Sequence, residues 1–215
     1  MLSAMLWSPR QVTPQEIEGA AAGLRNRNTI YKERGHNRAE AVKFIIDSVD
    51  LSGKRILDIG TGQGFTAVEI ARRGIPVKTV DLSEENLQKA YLYAMAESVA
   101  EFIEFHLLDA ARMGFDDNSF DLVVMVNTLH HLKDFKKTAG EISRVLTPGG
   151  IFVVADLTEE GFEILHSILN SEGREHQRSN RKTIYDIAQI IPEFGLKCRS
   201  QDIRFQEHLM VAEKN

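Results

Sequence analysis

Three glycines, Gly60, Gly62 and Gly64, follow a short apolar run that contains Asp58. The order predicts a strand, a tight turn and the first turn of a helix. Such a turn brings backbone N–H groups close to a ligand, because glycine has no Cβ atom to hold the ligand away. This arrangement is typical of sites for nucleotide-like ligands. The spacing alone is weak support, since an ordinary βα turn can contain the same glycines.

Carboxylates are predicted at the ends of the next two strands. Asp81 ends the second strand, where a carboxylate can accept two hydrogen bonds from a ribose diol. Asp109 follows the third strand, and beside the apolar Ala110 it can accept from the amino group of a purine. Both have a structural alternative, because Asp81 could belong to the cap of the next helix and Asp109 to a turn.

Asp58 indicates the chemical nature of the ligand. A carboxylate at the end of an apolar strand is costly to bury unless something pairs with it, and a ligand ammonium is a suitable partner. The rival interpretation is an NAD-binding domain, whose pattern is G-x-G-x-x-G. Here Phe65 stands where the third glycine of that pattern belongs. An acid before the first glycine would also repel a pyrophosphate, whereas it suits a zwitterionic amino acid.

Polar residues also follow the predicted fourth strand. Asn127 comes directly after the apolar run 120–126, and His130 and His131 come next. An imidazole can act as a general base, which a reaction needs if its nucleophile carries a proton of high pKa. The structural alternative is that one imidazole packs under the following helix and the other lies in solvent.

All these groups come together if the strands before them are parallel neighbours in one sheet. We predict strands at 54–59, 77–80, 102–107, 120–126, 151–155, 196–200 and 209–212, and helices at 14–24, 37–49, 65–73, 84–99, 135–146, 158–169 and 184–191. The βαβα alternation predicts an α/β fold with a mostly parallel sheet and helices on both faces. The last two strands are expected to be antiparallel, because no crossover helix fits between them.

Five segments resemble the motifs of class I S-adenosylmethionine-dependent methyltransferases. They are LDIGTGQG (57–64), VDLS (80–83), LLDAARMGF (107–115), FDLVVMVNTLHHL (120–132) and EISRVLTPGGIFVVAD (141–156). The resemblance covers about 37–212. Within the family, TLHHL and LTPGG resemble the small-molecule branch that includes ubiquinone/menaquinone-biosynthesis-type enzymes. The resemblance implies a Rossmann-like seven-stranded sheet, mostly parallel with the last strand antiparallel, and S-adenosyl-L-methionine as the cofactor.

The resemblance also implies a role for each matching residue. Asp58 and the backbone of Gly60 and Gly62 would hold the methionine moiety of the cofactor, with Thr61 and Gly64 in the same loop. The residues implied for the rest of the cofactor are Asp81 at both ribose hydroxyls, Leu82 and Ala110 beside the adenine, Asp109 at its amino group, and Asn127 at the sulfonium end through its backbone.

The expected function is methyl transfer to a small-molecule acceptor by in-line displacement. His130 and His131 are the candidate catalytic residues. Two alternatives stay open, namely a non-catalytic S-adenosylmethionine-binding sensor or partner subunit, and an NAD-dependent oxidoreductase. Neither the composition nor the motifs identify the acceptor.

Variable segments are expected to close the acceptor pocket. Residues 1–36 should form a helical extension or lid before a methyltransferase domain at 37–215. Within the extension, 25–36 reads either as a solvated linker or as a mobile flap, with the ring of Tyr31 facing the sulfonium. Residues 158–182 should form a substrate-side insertion.

The insertion carries charged residues with two interpretations. Glu163 and His166 have a helical spacing that can serve a metal, but a charged helix face is favoured and no metal is predicted. The basic residues of the loop could meet an anionic substrate group, although solvation is the commoner role; they are Arg174, Arg178, Arg181 and Lys182. Glu172, Glu175 and His176 lie in the same segment.

Composition limits the remaining possibilities. The chain has 215 residues, a formal net charge of −5 and one cysteine, Cys198. This size fits one α/β domain, the charge argues against nucleic acid as a partner, and a single cysteine excludes an intrachain disulfide. No apolar run is long enough for a membrane span. We expect a soluble, cytoplasmic protein with a small-molecule partner, and a homodimer is left open.

Overall fold

The computed structural model describes residues 6–174 and 182–215. Its centre is a seven-stranded sheet of β1 (Ile56–Ile59), β2 (Val77–Asp81), β3 (Ile103–Leu107), β4 (Phe120–Val126), β5 (Leu146–Leu157), β6 (Leu196–Arg204) and β7 (Glu207–Lys214). The order across the sheet is β3-β2-β1-β4-β5-β7-β6. β7 runs antiparallel to both of its neighbours, and the other strands share one direction. The predicted α/β sheet with an antiparallel last strand is therefore confirmed.

Helices cover both faces of this sheet. The described residues form α1 (Pro14–Glu33), α2 (Arg38–Ile46), α3 (Phe65–Ala71), α4 (Glu84–Ala96), α5 (Phe135–Val145), α6 (Glu159–Ser171) and α7 (Ile184–Ile190). Leu122 and Val124 of β4 pack in one apolar core with side chains of α2, α3 and α4. Val123 and Met125 pack in a second core with α5 and α7. The run 120–126 is apolar throughout because both faces of the strand are buried.

Helix α1 is longer than the sequence predicted. The predicted helix ended at residue 24 and was followed by a linker or flap, but the structure continues the helix to Glu33. A capping box between Thr13 and Glu16 is present at its start. Its buried side is narrow, with Ala21 and Tyr31 about three turns apart. The polar residues between them hid the helical period from the sequence analysis.

The closing part of the sheet also differs in its bounds. β5 begins earlier than predicted, at Leu146, because its first residues pair irregularly with β4. β6 and β7 extend to a turn at Phe205 and Gln206, whose φ values of 54° and 60° suit a two-residue hairpin. The turn places Glu207, the first residue of β7, beside Leu157, the last residue of β5.

One edge of the sheet collects the predicted site residues. Parallel strands end on the same side, so the loops after β1 to β4 lie together at what we name the carboxyl edge. β7 starts at this edge because it runs the other way. None of the described helices is long and apolar enough to span a membrane.

A larger hollow of about 1130 Å³ lies at the opposite edge, beside the first residues of β1 and β2. Two arginines of its wall are paired, Arg55 with Asp121 at 2.8 Å and Arg144 with Asp117 at 2.7 Å. None of the predicted site residues lines it. The carboxyl edge is therefore the place to look for chemistry.

Candidate active site

Left-handed backbone explains the glycines of the loop after β1. Gly60, Gly62 and Gly64 have φ values of 82°, 52° and 85°, which residues with a Cβ atom rarely adopt. A Cβ atom on Gly60 would overlap Thr128 Oγ1, and one on Gly64 would lie 2.9 Å from Ala90 Cβ. The loop is glycine-rich because neighbouring elements approach its backbone closely.

Asp81 fixes this loop to the end of β2. One carboxylate oxygen accepts from Gly62 N at 2.9 Å, and the other accepts from Ser83 N at 2.8 Å. Asn86 Nδ2 donates to the same carboxylate at 3.2 Å. Asp81 therefore also stabilises the start of α4, which was the structural alternative to a role in ligand binding. A carboxylate has about four lone-pair positions, so these three donors leave Asp81 about one position for a ligand hydroxyl.

A first cavity of about 340 Å³ opens beside Asp81. Leu82 gives it an apolar wall with 70% of its surface exposed, and Ala110 is buried in the opposite wall. Asp109 lies at the exposed rim, where its Oδ1 accepts from Ala111 N at 2.8 Å. The structure therefore brings together the residues predicted around the adenosine part of the ligand.

A second cavity of about 320 Å³ is lined by residues of α1, α2 and α6 together with the glycine loop. The two cavities share four residues as a common wall, which are Gly60, Gly62, Asn127 and His131. An elongated ligand can extend from one cavity into the other across this wall.

Asp58 lies behind the loop and lines neither cavity. It is 1% exposed, and its Oδ2 accepts from Thr79 Oγ1 at 2.7 Å, which in turn accepts from Thr61 Oγ1 at 2.5 Å. Burial raises the pKa of Asp58 to about 7, and the charge of Asp81 adds to the rise. A ligand ammonium was expected beside this carboxylate, but the structure pairs it with the Thr79 hydroxyl.

Asn127 turns the chain at the end of β4 with a φ of 52°. Its backbone N donates to Ala155 O at 2.9 Å, and its Nδ2 donates to Glu207 Oε1 at 2.8 Å. Its Oδ1 is buried and has no hydrogen-bond partner in the described part of the chain. Only the backbone of Asn127 was expected to matter, whereas its amide side chain also binds Glu207 beside the second cavity.

His130 is oriented by an acid. Its Nδ1 lies 2.7 Å from Asp156 Oδ1, and its backbone N donates to Asp156 Oδ2 at 3.0 Å. Both side chains are buried, and His130 lines the second cavity. In the neutral imidazole, Nδ1–H donates to the carboxylate and Nε2 keeps the lone pair. This is the geometry of a base held in one tautomer by a third group.

His131 has an exposed edge and lines both cavities. Its ring centroid lies 4.1 Å from that of His130. Partial desolvation is the main reason that the pKa of His131 is lowered to about 4, and the neighbouring His130 lowers this pKa further. His131 is therefore neutral at pH 7.

Arg38, at the start of α2, was missed as a candidate. Its Cζ lies 4.5 Å from the ring centroid of Tyr31 and 4.2 Å from that of Phe65. Burial lowers the pKa of Arg38 to about 10, and its Nη1 has no partner among the residues described. The Tyr31 ring, expected to face the sulfonium, faces this guanidinium instead. The signal available in the sequence was a cation at the first position of a helix with a broad apolar face.

Glu207 was missed as well. It is 1% exposed, lines the second cavity and begins β7. Burial raises the pKa of Glu207 to about 8. In the sequence, Glu207 lies between the last two predicted strands and reads as part of their connection. Only strand pairing across the sheet brings it beside Asn127.

The predicted insertion is described in part. Glu175, His176, Arg178 and Arg181 lie outside the described residues. Glu163 and His166 are exposed on α6, and across 6–174 and 182–215 no group of three His, Cys, Asp or Glu side chains could hold a metal. Glu172 joins this segment to α1, because it pairs with Arg174 at 3.2 Å and with Arg27 at 3.3 Å.

Comparisons with known proteins agree with this fold. Residues 57–154 match the family model described as a methyltransferase domain. Norajmaline N-methyltransferase from Rauvolfia serpentina is 36% identical over 118 residues, which cover 54% of this chain and 40% of that protein. Ubiquinone biosynthesis O-methyltransferase from Psychrobacter cryohalolentis is 29% identical over 141 residues, 65% of this chain and 54% of that protein. The chain thus spans about half the length of the curated relatives it matches.

A solved structure, a SAM-dependent methyltransferase from Aquifex aeolicus, superposes with a TM-score of 0.67. It is 16% identical, and the match covers 95% of this chain and 100% of that one. Residues 57–154 are thus similar to a methyltransferase domain, and the fold of the chain is that of solved SAM-dependent methyltransferases. Because the family match spans residues 57–154, neither Arg38 nor Glu207 lies within it.

Proposed function

We propose that the protein transfers the methyl group of S-adenosylmethionine to a small-molecule acceptor by in-line displacement. The observation that carries this proposal is the pair of cavities that share a wall at the carboxyl edge. Adenosine suits the first cavity and methionine the second, so the sulfonium lies at the shared wall. The oriented imidazole of His130 lines the second cavity, where an acceptor would approach.

Two carboxylates support the assignment of the first cavity to adenosine. Asp81, at the end of β2, keeps an acceptor position for one ribose hydroxyl, and the second hydroxyl can replace Asn86 Nδ2, the longest of its present contacts. Asp109, at the rim, is available to the adenine amino group. Leu82 and Ala110 flank the space between them and suit the faces of a purine.

Unsatisfied donors support the assignment of the second cavity to methionine. The loop from Gly60 through Thr61 and Gly62 to Gly64 offers backbone N–H groups. Arg38 Nη1 is a buried donor without a partner among the residues described, and a ligand carboxylate satisfies it. Tyr31 keeps the guanidinium in place through a cation–π contact.

When bound, the cofactor supplies a methyl group that is already activated on a sulfonium. The protein orients the acceptor and excludes water, which can contribute about 7–11 kcal/mol in the best intramolecular cases. For a hydroxyl or amine acceptor, His130 Nε2 takes the proton as the new bond to the methyl carbon forms. Asp156 then stabilises the imidazolium. His131, neutral at the shared wall, offers a polar contact near the reacting atoms.

The acceptor side combines apolar and polar walls. Leu157, Leu165 and Leu169 line the second cavity and suit an acceptor with an apolar part. We assign residues 1–36 as a lid, 37–215 as the methyltransferase domain and 158–182 as the substrate-side insertion. The contact of Arg34 Nη1 with Ser167 Oγ at 2.9 Å, which joins α1 to α6, supports this division.

The remaining expectations concern partners and location. The net charge of −5 supports an acceptor other than nucleic acid. The single Cys198 suits the reducing cytoplasm. A homodimer stays a prediction, which sedimentation equilibrium of the purified protein tests.

Thermal-shift measurements test the cofactor assignment first. S-adenosylmethionine and S-adenosylhomocysteine should raise the unfolding midpoint and NAD should not, because a ligand that binds the folded state stabilises it. The purified protein is then incubated with methyl-labelled cofactor and a metabolite extract. Label in a small molecule supports an enzyme, and binding without any transfer supports the sensor. Stabilisation by NAD alone would overturn the proposal.

A further inference from the structure

Glu207 is a buried acid, and one of its two carboxylate oxygens has no partner among the described residues. Its Oε1 accepts from Asn127 Nδ2 at 2.8 Å. Its Oε2 is buried and has no partner among the described residues, although Glu207 lines the second cavity. A buried acceptor without a partner is costly, so such an atom beside a cavity indicates a ligand that donates to it.

Asn127 Oδ1 adds a second acceptor at the same place. It is also buried and unpartnered in the described residues, and Asn127 belongs to the wall that the two cavities share. The link between Asn127 Nδ2 and Glu207 Oε1 holds the two side chains together. Two unpartnered acceptors on linked side chains suit a ligand group that carries several N–H bonds.

Neighbouring protein groups do not neutralise this site. His36 Nδ1 donates to the Phe205 carbonyl at 3.0 Å, so the neutral ring has its lone pair on Nε2. That Nε2 lies 3.8 Å from Glu207 Oε1, beyond hydrogen-bond distance. Burial raises the pKa of Glu207 to about 8, and the Arg38 charge opposes this rise only in part. A bound cation would complete the site.

We propose that Glu207, together with Asn127 Oδ1, binds the α-ammonium group of the cofactor's methionine moiety. This inference rests on the proposed function, which assigns methionine to the second cavity. Arg38 and Glu207, which both line the second cavity, then match the carboxylate and the ammonium of one zwitterion. Asp58, which pairs with Thr79, is left with a structural role in the loop.

Calorimetric titration of the full chain with three ligands tests the proposal. S-adenosylhomocysteine carries the ammonium, its desamino analogue lacks only that group, and 5′-methylthioadenosine lacks the whole amino acid. Glu207→Gln should weaken S-adenosylhomocysteine at least tenfold, because the amide cannot offer a negative charge. It should change the affinity for the other two ligands less than twofold.

Glu213→Gln is the matched control. Glu213 lies on the same strand and pairs with Arg199 at 2.8 Å, outside the second cavity, so this variant should bind all three ligands as the wild type does. Retained binding of 5′-methylthioadenosine shows that Glu207→Gln is folded. If that variant does not fold, Glu207→Asp is measured with the same ligands and should show a smaller loss confined to S-adenosylhomocysteine.

Two outcomes would overturn the inference. One is equal affinity of wild type and Glu207→Gln for S-adenosylhomocysteine. The other is an equal loss for all three ligands, which indicates a disturbed pocket. Failure of the wild type to bind either S-adenosylmethionine or S-adenosylhomocysteine would instead overturn the proposed function.

Discussion

Two buried carboxyl groups at the carboxyl edge have raised pKa values for the same reason. Asp58 and Glu207 are each 1% exposed, and burial raises the first pKa to about 7 and the second to about 8. Desolvation penalises the charged form, and each group has a single side-chain hydrogen bond to offset it. The site is therefore maintained at a cost in stability, as is common at functional sites.

The Asp58 carboxyl should make stability depend on pH. Its folded pKa of about 7 exceeds the reference value of 3.8, so the folded state binds more protons and stability falls as pH rises from about 4 to 7. Asp58→Asn removes this loss and can keep the Thr79 hydrogen bond. Relative to wild type, the free energy of unfolding of the variant should rise by about 1–3 kcal/mol between pH 5 and pH 8. Urea unfolding at both pH values measures the difference, and parallel curves would contradict the raised pKa.

The His130–Asp156 pair should affect turnover and leave cofactor binding intact. His130→Asn removes the base, and Asp156→Asn removes the acid that fixes its tautomer. Each should lower kcat by about 10²–10⁴-fold if the acceptor loses a proton. The rate is measured with the acceptor found in the extract experiment, and S-adenosylhomocysteine affinity should stay within twofold. Wild-type turnover in both variants would rule out the assignment of His130 as the base.

At the scale of elements, the glycine loop depends on close approach as well as on backbone conformation. Gly60→Ala combines a φ of 82° with an overlap on Thr128, whereas Gly74→Ala combines a φ of 72° with open space. We expect the free energy of unfolding to fall by about 2–4 kcal/mol for Gly60→Ala and by about 1 kcal/mol for Gly74→Ala. Thermal unfolding compares the two variants. Equal losses would show that conformation alone explains the glycine.

Local patterns predicted most elements and failed where packing decides the bounds. The buried strand 120–126 was predictable because its apolar run is continuous. The predicted first helix ended too early. The residues before Tyr31 are mostly polar, and few side chains of α1 are buried. The start of β5 at Leu146 was not predictable, since it depends on irregular pairing with β4.

Site residues divide in the same way. Gly60, Asp81 and Asp109 could be predicted because each follows its own strand in a recognisable motif. Arg38 and Glu207 could not, because their meaning depends on unpaired atoms beside a cavity built by distant segments. Long-range pairing of strands and helices leaves no local signal.

At the scale of the whole molecule, ligand binding should stiffen the cover of the second cavity. Side chains of α1 and α6 line this cavity, and Arg27 with Glu172 joins the two segments. We expect S-adenosylhomocysteine to slow amide hydrogen exchange in α1, α6 and the glycine loop, since ordered contacts suppress local opening. Exchange in β6, which lies at the far edge of the sheet, should change little. Unchanged exchange in α1 would argue against its role as a lid.

The strand order also constrains how the chain folds as the ribosome makes it. β6 is synthesised before β7, yet among the described residues β7 is its sole partner in the sheet. β6 therefore has no edge to join until β7 has inserted beside β5. A nascent chain halted within β6 would present the open edge of β5, whose unpaired N–H and C=O groups can recruit another chain. Insertion of β7 beside β5 is thus the step that ends this period of exposure to misassembly.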